Sequence, residues 1–145
     1  MNILPMEKKH ISAVAVLEGE CFSEPWSEDG LSAELTKAEA RFFVCEEENS
    51  LAGYMGMHII LDECYIANVA VFEAFRRRGI GKALVSHCIK TAADEGCSFI
   101  SLEVRVSNLA AISLYEGLGF VKVGERKNFY SRPSENGLIM TKNLR

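Results

Sequence analysis

Long hydrophobic runs are missing from this sequence. Its longest apolar stretches, such as Met55–Leu61, fall far short of the ~20 residues that cross a bilayer. No early segment couples a basic start to an apolar run, so neither a membrane partner nor a secretory leader is expected. A basic excess is missing too: 16 Lys and Arg against 20 Asp and Glu give a net charge of −4, the wrong sign for a general nucleic-acid binder. There is no C-x-x-C pair. The five cysteines (Cys21, Cys45, Cys64, Cys88, Cys97) are odd in number and scattered, which suits reduced thiols in the cytoplasm and neither a disulfide framework nor a zinc site. His10, His58 and His87 lie far apart without a carboxylate pattern, so no metal is expected. Repeats, low-complexity tracts and long linkers are also lacking, and residues 1–145 read as a single domain with a core of its own. Oligomeric state is not encoded in any feature of this kind.

What the chain does have is periodicity. Residues 2–6 suit a short first strand, and Ile11, Val14 and Leu17 keep helical spacing between Glu7 and Glu20. "FSEPWSEDGL" turns the chain, with Ser27 as N-cap of a second helix reaching about Ala38. "RFFVCEE", "LAGYMGMHIILD" and "ECYIANVAVF" read as strands. Gly79 to about Glu95 is a helix with one apolar stripe, including Ile80, Leu84 and Cys88. "SFISLEVRV" is a strand, Ser107 or Asn108 caps a short helix ending near Gly119, and "FVKVGERKNFY" and "GLIMTKNL" close as a strand pair. The order β-α-α-β-β-β-α-β-α-β-β implies helices covering a mixed sheet, an α/β (α+β) architecture.

The stretch "RRRGIGKAL" (Arg76–Leu84) joins the strand ending at Val71 to the helix starting near Gly79. A Walker-type loop needs Gly at Arg76 and Ser or Thr at Ala83, and a dinucleotide fingerprint needs Gly at Leu84, so both readings fail. Two glycines at a helix start still leave backbone N–H groups open to a ligand oxygen, and the helix dipole favours an anion there. Arg76, Arg77, Arg78 and Lys82 add positive charge. A solvated basic turn would look the same from these features alone.

"VAVFEAFRRRGIGKAL" resembles the acyl-CoA signature of the GCN5-related N-acetyltransferases, Arg/Gln-x-x-Gly-x-Gly/Ala, with Arg76, Gly79 and Gly81 in the defining places. "LEVRVSNLAAISLYEGLGF" (Leu102–Phe120) is similar to a second block of that superfamily, and "FSEPWS" and "ERKNFY" extend the likeness to its RimI-like, ribosomal-protein alanine N-acetyltransferase branch. The resemblance implies acetyl-CoA as cosubstrate and two splayed central strands. It implies that the amides of Arg77, Arg78, Gly79, Ile80, Gly81 and Lys82 receive the pyrophosphate, and that Val69, Ala70 and Val71 pair with pantetheine as an added strand. Arg76 or Arg78 would reach the 3′-phosphate, and Asn108, otherwise a helix cap, would touch the cofactor. It further implies Glu103 as general base and Tyr115 as the hydroxyl near the CoA sulfur, against the plainer readings of a solvated Glu–Arg pair and a core aromatic. Trp26 and Tyr130 would contact the acceptor peptide, a ribosomal-protein N-terminus. Phe129 departs from the family's more usual Tyr, and Ser134–Asn136 is less acidic than its relatives.

Acceptor chemistry points the same way. An α-amine of pKa near 7.8 is about a quarter neutral at pH 7.4, whereas Lys near 10.4 is neutral to only about 0.1%. A carboxylate working directly or through water suits the former. A ping-pong route through Cys21 or Cys64 has no activating neighbour in sequence. Two rivals keep the fold: transfer to a small amine or lysine, and a non-catalytic acyl-CoA-binding module, which would need neither Glu103 nor Tyr115.

Overall fold

In the computed structural model, which describes residues 1–145, the chain runs β1 (Asn2–Pro5), α1 (Ile11–Cys21), α2 (Glu28–Glu34), β2 (Ala40–Glu47), β3 (Ser50–Ile60), β4 (Glu63–Val71), α3 (Ile80–Asp94), β5 (Phe99–Arg105), α4 (Leu109–Gly117), β6 (Val121–Tyr130) and β7 (Glu135–Asn143). The element order is the expected one; two boundaries differ. Lys8–His10 form a 3-10 turn before α1, with the Glu7 N–H donating to His10 Nδ1 at 2.9 Å. The second helix stops at Glu34, short of Ala38. Its Ser27 cap accepts from the Gly30 N–H at 3.0 Å as expected, but at its other end Glu34 is buried and drawn to Lys37 (3.1 Å) and His58 (3.0 Å). The next residues tighten into i→i−3 bonds and leave the helix. No helix is long and apolar enough to cross a membrane.

The seven strands form one sheet in the order β1-β2-β3-β4-β5-β7-β6. All neighbours are antiparallel except β4 and β5, which α3 connects in parallel. Period-two alternation sends side chains to two cores. One face of the sheet, with Cys64, Ile66, Leu102 and Val104, packs on α3 and α4 through Ile80, Leu84, Cys88 and Tyr115. The other, with Phe42, Val44, Tyr54 and Ala70, packs on α1 and α2 through Ile11, Val14, Leu17 and Leu31.

The sheet is interrupted at its middle. β4 and β5 pair only at Glu63–Phe99, Cys64–Ile100 and Tyr65–Ser101, although both strands continue. Against β3, Met57 is opposite Ile66 while Gly56 is opposite Asn68, leaving Ala67 as an unopposed bulge. A bulge bends its strand and raises its twist, and this one sits where β4 leaves β5. β5 meanwhile follows β7, paired from Phe99 to Arg105. The strands therefore splay beyond Tyr65 and Ser101, as the family likeness implied.

Candidate active site

The splay opens a cleft of about 800 Å³ through the sheet. Alternation decides what enters it. Leu102 and Val104 face α3 and α4, so Glu103 and Arg105 on the same strand face the α1 and α2 side. Tyr115 arrives from the opposite layer, on α4. Glu103, Tyr115, Asn108, Val69, Trp26 and Tyr130 all border this one cleft.

Main-chain groups on β4 are sorted by register. The Phe72 N–H donates to the Ala52 carbonyl at 2.8 Å, which marks a hydrogen-bonded pair in the antiparallel ladder. By alternation Ala70 is committed to Tyr54, whereas Val69 and Val71 turn their amides toward the gap. The Val71 carbonyl already accepts from Arg76 Nε at 3.1 Å. Val69 and Val71 are thus the open positions of the predicted trio, with Ala70 between them.

The loop before α3 has the expected form. Gly79 is the N-cap in the left-handed region at φ 79°, and a Cβ there would meet no atom within 4 Å. Arg77 is also left-handed at φ 65°. The first bond of the helix is from the Ala83 N–H to the Gly79 carbonyl, and none of the amides from Arg77 to Lys82 donates to backbone. This cradle of free N–H groups at a positive helix end fits a pyrophosphate. The arginines diverge. Arg76 turns under the sheet toward Val71 and Cys21, while Arg78 stays at the surface, 3.6 Å from Glu48 and stacked on Phe75.

Glu103 is three-quarters buried, with Arg126 Nε 3.4 Å from Oε1; its Oε2 is buried with no protein hydrogen-bond partner. Burial pushes the Tyr115 phenol well above its ordinary range, with Tyr130 adding to the shift. Tyr130 is pushed up to about 12, first by burial and then by the Glu103 carboxylate, with Arg105 pulling the other way. Asn108 caps α4, its Oδ1 accepting from the Ala111 N–H at 3.2 Å.

Two walls of the cleft meet through Arg105. Its guanidinium donates to the carbonyls of Pro133 (2.9 Å) and Ser131 (3.1 Å), to Glu135 Oε1 (3.2 Å) and to Ser23 Oγ (3.3 Å). It also stacks on the Tyr130 ring at 4.6 Å. The Ser23 hydroxyl donates to the Ser131 carbonyl at 3.1 Å. The loop between α1 and α2 is therefore tied to the β6–β7 turn. At that turn the ladder breaks between Arg126 and Tyr130, and Phe129 and Tyr130 border the cleft.

Several of these participants escaped the sequence reading. In sequence Arg105 reads only as the solvated partner of Glu103, whereas its hydrogen-bond partners lie on distant segments. Glu18, fully buried, accepts from the Trp26 N–H and from Asn68 Nδ2, both at 2.8 Å, and from the Tyr54 hydroxyl. Its signal was a charged residue on the apolar stripe of α1. Trp26 packs edge-on against Phe42 at 5.8 Å and also borders the cleft. Cys21 does meet a cation, Arg76 at 3.6 Å, yet burial outweighs it and raises the thiol pKa. Cys64 is fully buried.

Comparison with known proteins agrees with this geometry. A Bacillus subtilis (strain 168) protein provisionally named a ribosomal protein bS18-alanine N-acetyltransferase is 35% identical over 136 residues, 93% of this chain and 90% of that one. The crystal structure of the ribosomal-protein-S18-alanine N-acetyltransferase from Escherichia coli matches with a TM-score of 0.90 at 31% identity, covering 99% of this chain and 93% of that one. A crystal structure of the NatC complex bound to Gag peptide and CoA matches at a TM-score of 0.84 and 25% identity, covering 100% of both chains. The Acetyltransferase (GNAT) family model matches residues 11–120. The chain therefore belongs to the GNAT acetyltransferase family and is an N-acetyltransferase.

Proposed function

We propose that this enzyme, acting as one catalytic domain over residues 1–145 in the cytoplasm, moves the acetyl group of acetyl-CoA onto the α-amine of a protein N-terminus. The preferred acceptor is a terminal alanine or similar small residue on a small-subunit ribosomal protein, the substrate class for which its relatives are named. One observation carries the reading: Glu103 and Tyr115 enter a single cleft from opposite faces of the sheet, where β4 and β5 part. The Arg105 tie between the acceptor walls supports a chain end over an internal lysine, because the groove is bridged two residues along β5 from the carboxylate.

Bound acetyl-CoA supplies an activated thioester. The α3 amides and the open groups of Val69 and Val71 hold it so that its acyl end reaches the gap. Glu103, directly or through water, takes the ammonium proton. The amine nitrogen attacks the carbonyl carbon; a C–N bond forms and the C–S bond breaks. The Val69 or Val71 N–H would steady the oxyanion. Tyr115 holds its proton at neutral pH and donates to the departing sulfur. The second N–H proton, made acidic once the C–N bond has formed, passes to the Tyr115 oxygen, directly or through water, so that CoA leaves as a thiol and the phenol is restored. An ordinary phenol near 10 against a thiol near 8.5 makes full transfer uphill by about 2 kcal/mol. Burial beside Tyr115 would raise the thiolate's pKa as well, so the two stay close enough for the proton to pass.

The test uses purified protein with acetyl-CoA and a panel of free N-terminal peptides, acetyl-blocked lysine peptides and polyamines, with CoA release followed and products mapped by mass. Turnover on alanine or serine termini, lost in Glu103→Gln, is expected. Transfer confined to lysine or small amines, or CoA binding without any transfer, would overturn the reading.

A further inference from the structure

Asn68 has a forced orientation. Three donors converge on Glu18: the Trp26 N–H on Oε1, and the Tyr54 hydroxyl and Asn68 Nδ2 on Oε2. Glu18 thus serves as an acceptor throughout, and the NH2 group of Asn68 has to face it. Oδ1 then points the other way. It has no protein partner, yet it is not a buried atom, and Asn68 borders the cleft. Its carbonyl oxygen therefore opens into the cleft.

Its height in the cleft is set by register. The last β4–β5 pair is Tyr65–Ser101. Asn68 lies three residues beyond Tyr65, one of them the bulge, and Glu103 two beyond Ser101, so each sits roughly 7–10 Å past the fork. Asn68 reaches Glu18 on α1, and Glu103 faces the same side of the sheet, away from Leu102 and Val104. Two oxygens, one carboxylate and one neutral amide, thus flank the gap from facing strands.

We infer that Asn68 Oδ1, aimed by Glu18, accepts an N–H of the substrate's terminal amine and orients its lone pair toward the acetyl carbon, an assignment that rests on the N-terminal reading above. An ammonium has three N–H groups, and only one is surrendered to Glu103. A neutral amide oxygen is too weakly basic to compete for that proton, yet it fixes the nitrogen that remains. A second carboxylate there would instead hold the cation and delay deprotonation.

The experiment compares an alanine-starting peptide with its des-amino analogue, binding each to the enzyme–CoA complex by calorimetry, alongside turnover of the amine form. Wild type should bind the amine form more tightly. In Asn68→Leu that preference should shrink by about tenfold, the loss expected for one hydrogen bond to a charged group, with the KM for acetyl-CoA unchanged. Glu18→Gln should shrink it too, because the new amide lets Asn68 turn over. If Asn68→Leu fails to bind CoA, Asn68→Ser takes the same two peptides. An unchanged preference in a CoA-binding Asn68 variant overturns the assignment. A wild type that acetylates no α-amine overturns the N-terminal reading instead, so the two failures are told apart.

Discussion

Tyr115 keeps its proton because of where it sits. The ring is buried against Phe120, 5.6 Å between centroids, and burial disfavours the phenolate. In the proposed mechanism the protonated phenol is the working form, and a raised pKa moves its loss to higher pH. The kcat/KM for an N-terminal peptide should therefore rise through the α-amine's ordinary range of about 7.7–8.0 and then stay level beyond pH 10. Tyr115→Phe should lower kcat about 10²–10⁴-fold. A basic limb near pH 8–9 in the wild-type profile would refute this role for Tyr115. Both Tyr115 and Glu103 were visible in sequence, through strand alternation and family spacing. Asn68 was not, since a polar residue in a strand signals nothing until its partner on α1 is known.

Among the elements, the β6–β7 turn and the loop between α1 and α2 act together because Arg105 fastens them. The fork geometry of a guanidinium is what lets one side chain serve two carbonyls, a carboxylate and a hydroxyl at once. Arg105→Met should preserve much of the packing on Tyr130 and lose these bonds. The KM for peptide should rise about tenfold with the KM for acetyl-CoA little changed, and transfer to lysine side chains should increase relative to N-termini. Steady-state kinetics on both acceptor types measures this. Helix and strand positions are largely readable from periodicity, and their ends shift where tertiary contacts intervene. Glu34 is the case in point: its burial against His58 and Lys37 ends α2 early.

At the scale of the whole molecule, burial leaves a signature in pH stability. All four tyrosines have raised pKa values: Tyr54, Tyr115 and Tyr130 chiefly by burial, Tyr65 by its bond to Glu63. The thiols of Cys21, Cys45 and Cys97 are raised by burial, and that of Cys88 by contact with Cys64 and by burial. Unfolded thiols titrate near 8.5 and phenols near 10. Above about pH 8.5 the unfolded chain then carries fewer protons than the native one, and stability falls as pH rises. Below that these groups contribute no pH dependence. Thermal midpoints under reducing conditions should decline progressively between pH 8.5 and 11; a rise over that interval would exclude the effect.

By itself the sequence determined what is local: the alternation that puts Glu103 opposite in sense to Leu102 and Val104, the cap at Ser27, a cap at Ser107 or Asn108, and the glycine-framed amides before α3. Such features depend on residues a few positions apart, whose chemistry and spacing suffice. Only the tertiary structure decided the fork between β4 and β5, the meeting of Tyr115 with Glu103 through it, and the ties of Glu18 to Asn68 and Ser23 to Arg105. Those joins span 50 and 82 residues, and the fork lies where β4 bulges at Ala67 and β5 stays paired with β7. No periodicity within a single segment reports on either.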